Sequence, residues 1–189
     1  MISIPYNPKD KSNGLLDYID KLSDNKMQYI EYETSSSRDN PEQLLFYKSR
    51  HSFRVSDEIC PEYYIGFGFK KHVFSINSFS ISSSFNPTNS KEHPKTWKII
   101  GLMDDVNWIV LNSHINDNTL NGFNLFAYIK TEEIVVRYLR FVSPTPFALY
   151  SLEFFGNLYP SSFIFPLPYM KFFQRMMPCF GQISAINLV

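Results

Sequence analysis

Four histidines stand at constant separations of 21 residues: His51, His72, His93 and His114. Regular spacing of imidazoles raises metal binding or an internal repeat as the first question. The neighbours of the four do not repeat (RHSF, KHVF, EHPK, SHIN), and none is paired at the close spacing that puts two ligands on one element. The regularity reads as a coincidence of strand and loop lengths. Only a fold that brought the rings together would make a metal site of them. The acidic pairs Asp104-Asp105 and Glu132-Glu133 fall where turns are predicted, and turn carboxylates are usually solvated. No nucleophile turn, phosphate-binding loop, HExxH or GxGxxG motif occurs; Gly66-Phe-Gly68 stops short of the last. The chemistry-bearing residues therefore point to a binding module rather than an enzyme, with no cofactor and no metal expected.

The balance of charge narrows the partners. Lys plus Arg and Asp plus Glu are 18 each, without a long basic run. A chain that neutralises a phosphate backbone carries a basic excess, so nucleic acid is not expected. Cys60 and Cys179 are too few and too far apart for a disulfide framework or a zinc site, and read as reduced thiols. The first residues, MISIPYNP, lack a basic and an apolar signal region, and no long apolar run spans a bilayer. These features set the expectation of a cytoplasmic protein.

The elements that must position any site read as β. Aromatic residues are abundant, with 18 Phe and 12 Tyr, which suits half-buried pleated surfaces. After an extended lead over 1–13, Leu15, Leu16, Ile19 and Leu22 recur at helical spacing, and Ser12 or Asn13 could cap a short packing helix over 14–22. A strand is predicted over 27–34. Ile65, Phe67 and Phe69 alternate with glycines, so one face is apolar and the other is left bare. Phe79, Ile81 and Phe85 continue the alternation, with serines between. Further strands are predicted over 96–102, 108–113, 123–129, 134–142 and 148–155, separated by turn clusters. Many short strands without crossover helices predict an antiparallel sandwich or barrel. Trp97 and Trp108 each open a strand and read as core packing, with a sugar-stacking platform as the alternative. Arg137 and Arg140 fall on one strand. A partly buried Arg needs a partner, and Glu153 is the candidate for a structural ion pair. The tail over 160–189 carries four prolines among Phe, Met, Leu and Ile, which excludes one long helix or a central strand and predicts an irregular segment.

In order along the chain, residues 93–101 (HPKTWKIIG), Asp104, Asn107-Trp108, Leu120-Asn-Gly122, Phe126, Arg137-Tyr-Leu-Arg140 and residues 152–156 (LEFFG) form a pattern. It resembles the discoidin family, the coagulation factor 5/8 type C domains, from about residue 14 to 158. Its nearest counterpart there is the intracellular branch of protist proteins, often placed behind a BTB-type domain. The resemblance implies a galactose-binding-like jelly-roll β-sandwich over 14–159 that binds sugars, lipid head groups or proteins through loops at one end. Those loops would be 35–43, 50–60 and 86–95, with Arg38, Arg50, Arg54 and His93 as ligand contacts. They lack the exposed Trp, Phe or Leu spikes of membrane-binding relatives. The loop VSPTPFA after Phe141 is shorter than in those relatives.

The expectation that follows is a non-catalytic module docking on protein partners in a larger intracellular assembly, by family analogy a cytoskeletal or ciliary one. The tail over 160–189 would serve as the docking strap through Phe163, Phe165, Tyr169, Phe172, Phe173 and Met176. The alternative is a lectin-like domain that takes carbohydrate or lipid head groups at its end loops.

Overall fold

Alternating apolar residues pair into two antiparallel sheets. The computed structural model describes residues 1–22, 29–35, 52–56, 61–85, 92–103 and 106–160. Among them are ten strands and one helix: β1 Ile2–Ile4, α1 Leu15–Leu22, β2 Ile30–Thr34, β3 Phe53–Val55, β4 Tyr63–Phe69, β5 His72–Ser83, β6 Trp97–Leu102, β7 Trp108–His114, β8 Phe126–Val136, β9 Tyr138–Ser143 and β10 Phe147–Pro160. One sheet runs β1-β10-β5-β8, with β3 also on β10; the other runs β2-β4-β9-β6-β7. Every strand pair is antiparallel. No helix among the described residues is long and apolar enough to cross a membrane.

Aromatic contacts close the sandwich. Phe67 meets Phe154 at 5.8 Å between ring centroids, Phe69 meets Phe74 at 6.0 Å, and Phe79 meets Trp97 at 6.2 Å, each joining one sheet to the other. Phe141 packs on Phe147 at 4.8 Å. Large rings suit this seam because each removes much apolar surface from water. Trp97 is buried as the sequence predicts.

The first sheet is covered on its outer face as well. Residues 1–22 cross it: β1 pairs with the end of β10, and Tyr6 stacks on Tyr128 at 3.7 Å and meets Phe155 edge-on at 5.1 Å. Leu15, Leu16 and Ile19 of α1 are fully buried. On β5 and β10 the residues facing this layer include Ser75, Ser78, Ser80, Ser82 and Ser151, all buried. Small hydroxyls admit the overlying chain closely and bond laterally, as Ser151 does to Ser82 at 2.9 Å.

Several expectations change at this point. Neither Ser12 nor Asn13 caps α1. The Glu153 carboxylate, from the middle of β10, accepts the backbone N–H of Leu16 at 2.9 Å and that of Asp17 at 3.0 Å. These are the amides that a capping side chain would satisfy locally. Gly14 leaves the room: a Cβ there would lie 2.7 Å from Glu153 Cβ. Glu153 therefore does not pair with Arg137 or Arg140. The two arginines do not share a strand: Arg137 lies between β8 and β9, and Arg140 on β9 is buried and bonds Glu33 of β2, Nε to Oε1 at 2.5 Å. Register explains the choice. Glu33, Gly66 and Arg140 line up across β2, β4 and β9, so Glu33 reaches over the glycine. The outer face of β4 is thus occupied rather than bare. The Arg140 guanidinium also lies between the rings of Tyr64 at 4.3 Å and Trp108 at 4.5 Å, so Trp108 is a half-buried lid on a cation and not a core residue.

Glu132 and Glu133 lie inside β8, not in a turn; Ser75 Oγ donates to Glu133. Gly156 marks a bulge where β10 shifts register against β5, with φ of 149°. An added Cβ there would lie 2.9 Å from the Ser75 carbonyl carbon.

Two stability tests follow from these polar contacts. Glu33→Ala removes the carboxylate that pairs with the buried Arg140 and is expected to cost about 1–3 kcal/mol in urea unfolding. Glu153→Ala leaves two buried amides without acceptors, a loss of about 1–3 kcal/mol. Burial pushes the Glu153 carboxyl well above its usual value, against the pull of the Leu16 and Asp17 amides. The folded chain then holds this proton more tightly than the unfolded one. Stability falls as pH rises above the ordinary glutamate range, until the raised value is passed. Glu153→Gln should remove that stretch of pH dependence from the unfolding midpoints.

Candidate functional site

Strand direction brings nine of the ten strands to one end of the sandwich. β2, β5, β7 and β9 finish there, and β4, β6, β8 and β10 begin there, with β3 beside the start of β10. Arg54 and His93 of the four expected ligand contacts are both at this end. Arg38 and Arg50 lie outside the described residues, as do most of the expected loops and the whole 161–189 segment with Phe163, Phe165, Tyr169, Phe172, Phe173 and Met176.

Arg54 extends from β3 and its side chain is 46% exposed. Its Nε donates to Glu92 Oε1 at 2.7 Å, and its Nη2 bonds the same oxygen. Glu92 is buried, and its other oxygen, Oε2, has no hydrogen-bond partner. His93 follows in the chain and is also buried. Desolvation pulls its imidazole below the ordinary histidine value, against a ring hydrogen bond to the Ser84 backbone and the Glu92 charge. The bond to a backbone carbonyl leaves Nε2 as the acceptor nitrogen, and Nε2 is buried without a partner.

Phe123 stands edge-on to His93 at 4.8 Å and is 48% exposed. Phe85, 39% exposed, meets Tyr150 edge-on at 5.0 Å. The segment that carries Phe123 is knitted to the end of β5. Asn124 N–H donates to the Ser84 carbonyl at 3.1 Å, and Leu125 N–H to Ser83 Oγ at 2.9 Å. Ser84 Oγ in turn lies 2.7 Å from Ser52 Oγ, one residue before β3. Ser84 thus ties the supports of Arg54, His93 and Phe123 together. The two exposed rings at this end, Phe85 and Phe123, lie outside the three loops expected to carry the ligand contacts.

A polar layer beneath holds the segment between β7 and β8. His114 lies flat on Trp97 at 4.1 Å, and its Nδ1 bonds Asp117. Asp117 also accepts from the backbone and hydroxyl of Thr119, and its own N–H donates to the Lys95 carbonyl at 2.8 Å. Asn116 adopts φ of 52°, which Asn tolerates. Among the four histidines, His93 and His114 share this end, His72 sits at the opposite end beside Tyr29, and His51 is outside the described residues. No cluster of three metal-ligating residues occurs among the described residues.

Glu92 carries no signal in the sequence, and Phe85, expected on the inward face with Phe79 and Ile81, is exposed past the end of β5. The signal for Phe123 was present, since it stands in Asn121-Gly-Phe-Asn124, a turn composition around a large apolar ring. It was assigned instead to the start of a strand.

No family model matches the chain, and no curated protein sequence is similar to it. Solved structures are. The CBM32-3 module of a family 31 glycoside hydrolase from Clostridium perfringens superposes with a TM-score of 0.58 at 17% identity, over 80% of this chain and 100% of that one. The chain has a galactose-binding-like jelly-roll fold. Two further modules align with it over 67% of this chain and 95% of theirs, both with TM-scores of 0.53. One is CpGH89CBM32-5 of Clostridium perfringens, in complex with GalNAc-β-1,3-galactose, at 11% identity. The other is chitosan-binding module 2 of a chitosanase/glucanase from Paenibacillus sp. IK-5, in complex with chitotriose, at 14% identity. At these identities the likeness establishes the jelly roll that the discoidin resemblance implied, and carries nothing about a protist or BTB-associated branch.

Asp117 gives a direct test of the supporting layer. Hydrogen bonds from the Thr119 hydroxyl, from His114 and from the Thr119 amide pull its carboxyl from 3.8 down to about 2. The stability it contributes is complete above the ordinary aspartate value and is lost as pH falls through about 2. Asp117→Asn should flatten the stability profile over that window, measured by unfolding midpoints.

Proposed function

We propose that the chain is a non-catalytic carbohydrate-binding module that takes its ligand at the loop end of the sandwich. The observation that carries this reading is the half-exposed Phe123 ring standing on His93 beside the Arg54–Glu92 pair. A sugar ring offers an apolar C–H face and a rim of hydroxyls. An aromatic platform with convergent polar groups matches both, and a few positioned polar groups set orientation. The neighbours crystallised with GalNAc-β-1,3-galactose and with chitotriose support the reading by fold analogy. The first expectation, docking on protein partners, rests on a tail outside the described residues, whereas its alternative, a lectin-like domain, is supported by the loop end and by the fold analogy.

Titration of the full chain against GalNAc-β-1,3-galactose, chitotriose and acidic oligosaccharides is the test. Phe123→Ala should weaken binding about tenfold or more while leaving the unfolding temperature nearly unchanged; Arg54→Ala should weaken binding similarly but also lower the unfolding temperature, because it leaves the buried Glu92 without its partner. A folded chain that binds none of these sugars would remove the proposal.

A further inference from the structure

Resting on the carbohydrate reading, we infer that Glu92 makes the loop-end site select sugars that present O–H or N–H donors and reject sugars that carry a carboxylate. The argument starts from an imbalance of donors and acceptors. Glu92 is more than nine-tenths buried, and both bonds from Arg54 go to Oε1. That leaves Oε2 buried and without a donor. His93, the next residue and equally buried, has Nε2 in the same condition. Burial favours its neutral ring, so Nε2 presents a lone pair. Two acceptors on consecutive residues therefore lack donors, and the ring of one of them, His93, lies against Phe123.

Buried acceptors without partners are uncommon and call for a ligand group or an ordered water. Because both atoms are buried, a sugar hydroxyl or a protonated amine reaches them through an ordered water that it holds in place. A carboxylate supplies no hydrogen. It also places a second negative charge near Glu92, where the surroundings screen poorly. Arg54 does not reverse this preference, because its charge is already matched by Glu92 at Oε1. The selectivity thus comes from a repulsive group as much as from an attractive one.

The full chain is titrated calorimetrically with three probes at neutral pH: GalNAc-β-1,3-galactose, chitotriose and trigalacturonate. The expected result is that the neutral probe, the amine probe or both bind about tenfold or more tightly than trigalacturonate. Glu92→Gln, which can turn an amide N–H toward the position of Oε2, should narrow that gap. Thermal melts of the variant confirm that it is folded; the wild-type ranking stands as a test even where the variant is not. Trigalacturonate binding as tightly as the other probes overturns the inference while leaving the carbohydrate reading in place. A folded wild-type chain that binds none of the three overturns both.

Discussion

The Glu153 side chain joins the first sheet to the N-terminal layer that covers it. It projects from the central strand β10 and satisfies two amides at the start of α1. Without it, the helix would bring unpaired N–H groups against the first sheet, an arrangement that folded proteins avoid. The constraint behind it is that β5 and β10 are buried on both faces. One face meets the second sheet through large aromatic rings, and the other meets residues 1–22. Serines line that second contact because bulkier side chains would hold the helix away. The N-terminal segment is a structural layer, and Glu153 is the polar group that fixes its height and register.

Much of this architecture was legible in the chain. Alternation at Ile65, Phe67 and Phe69 and at Phe79 and Ile81 identified inward faces, and all five side chains are buried; Phe85, expected on the same face, lies past the end of β5 and is exposed. The helical spacing of Leu15, Leu16 and Ile19 located α1, whereas Leu22 at its end is exposed. What could not be read was which distant groups meet. Arg140 pairs with a residue 107 positions away, and the choice of Glu33 over Glu153 depends on the register of three strands and on a glycine between them. Glu132 and Glu133 looked like a turn because charge clusters usually mark solvent. They lie instead in β8, an outer strand of the first sheet, where such charges also discourage pairing with other chains.

The candidate site was half legible for a related reason. Arg54 and His93 could be chosen by residue type and by the loops in which they fall. Glu92 and Phe123 acquire meaning only through their contacts with those two. The serines around Ser84, unremarkable in sequence, tie the chain segments that carry these side chains. Local composition identifies groups able to bind, whereas long-range hydrogen bonds decide which of them share a site.

The pairing of β1 with the last residues of β10 sets Ile2 opposite Leu158, at the pole away from Phe123 and Arg54. The chain thus enters and leaves the described body side by side on that far pole. Attachment to a bead, a sensor surface or another polypeptide at either of these points would turn the loop end outward. An extended polymer could then approach that end without meeting the support, and several copies on one surface would present their sites in a common direction.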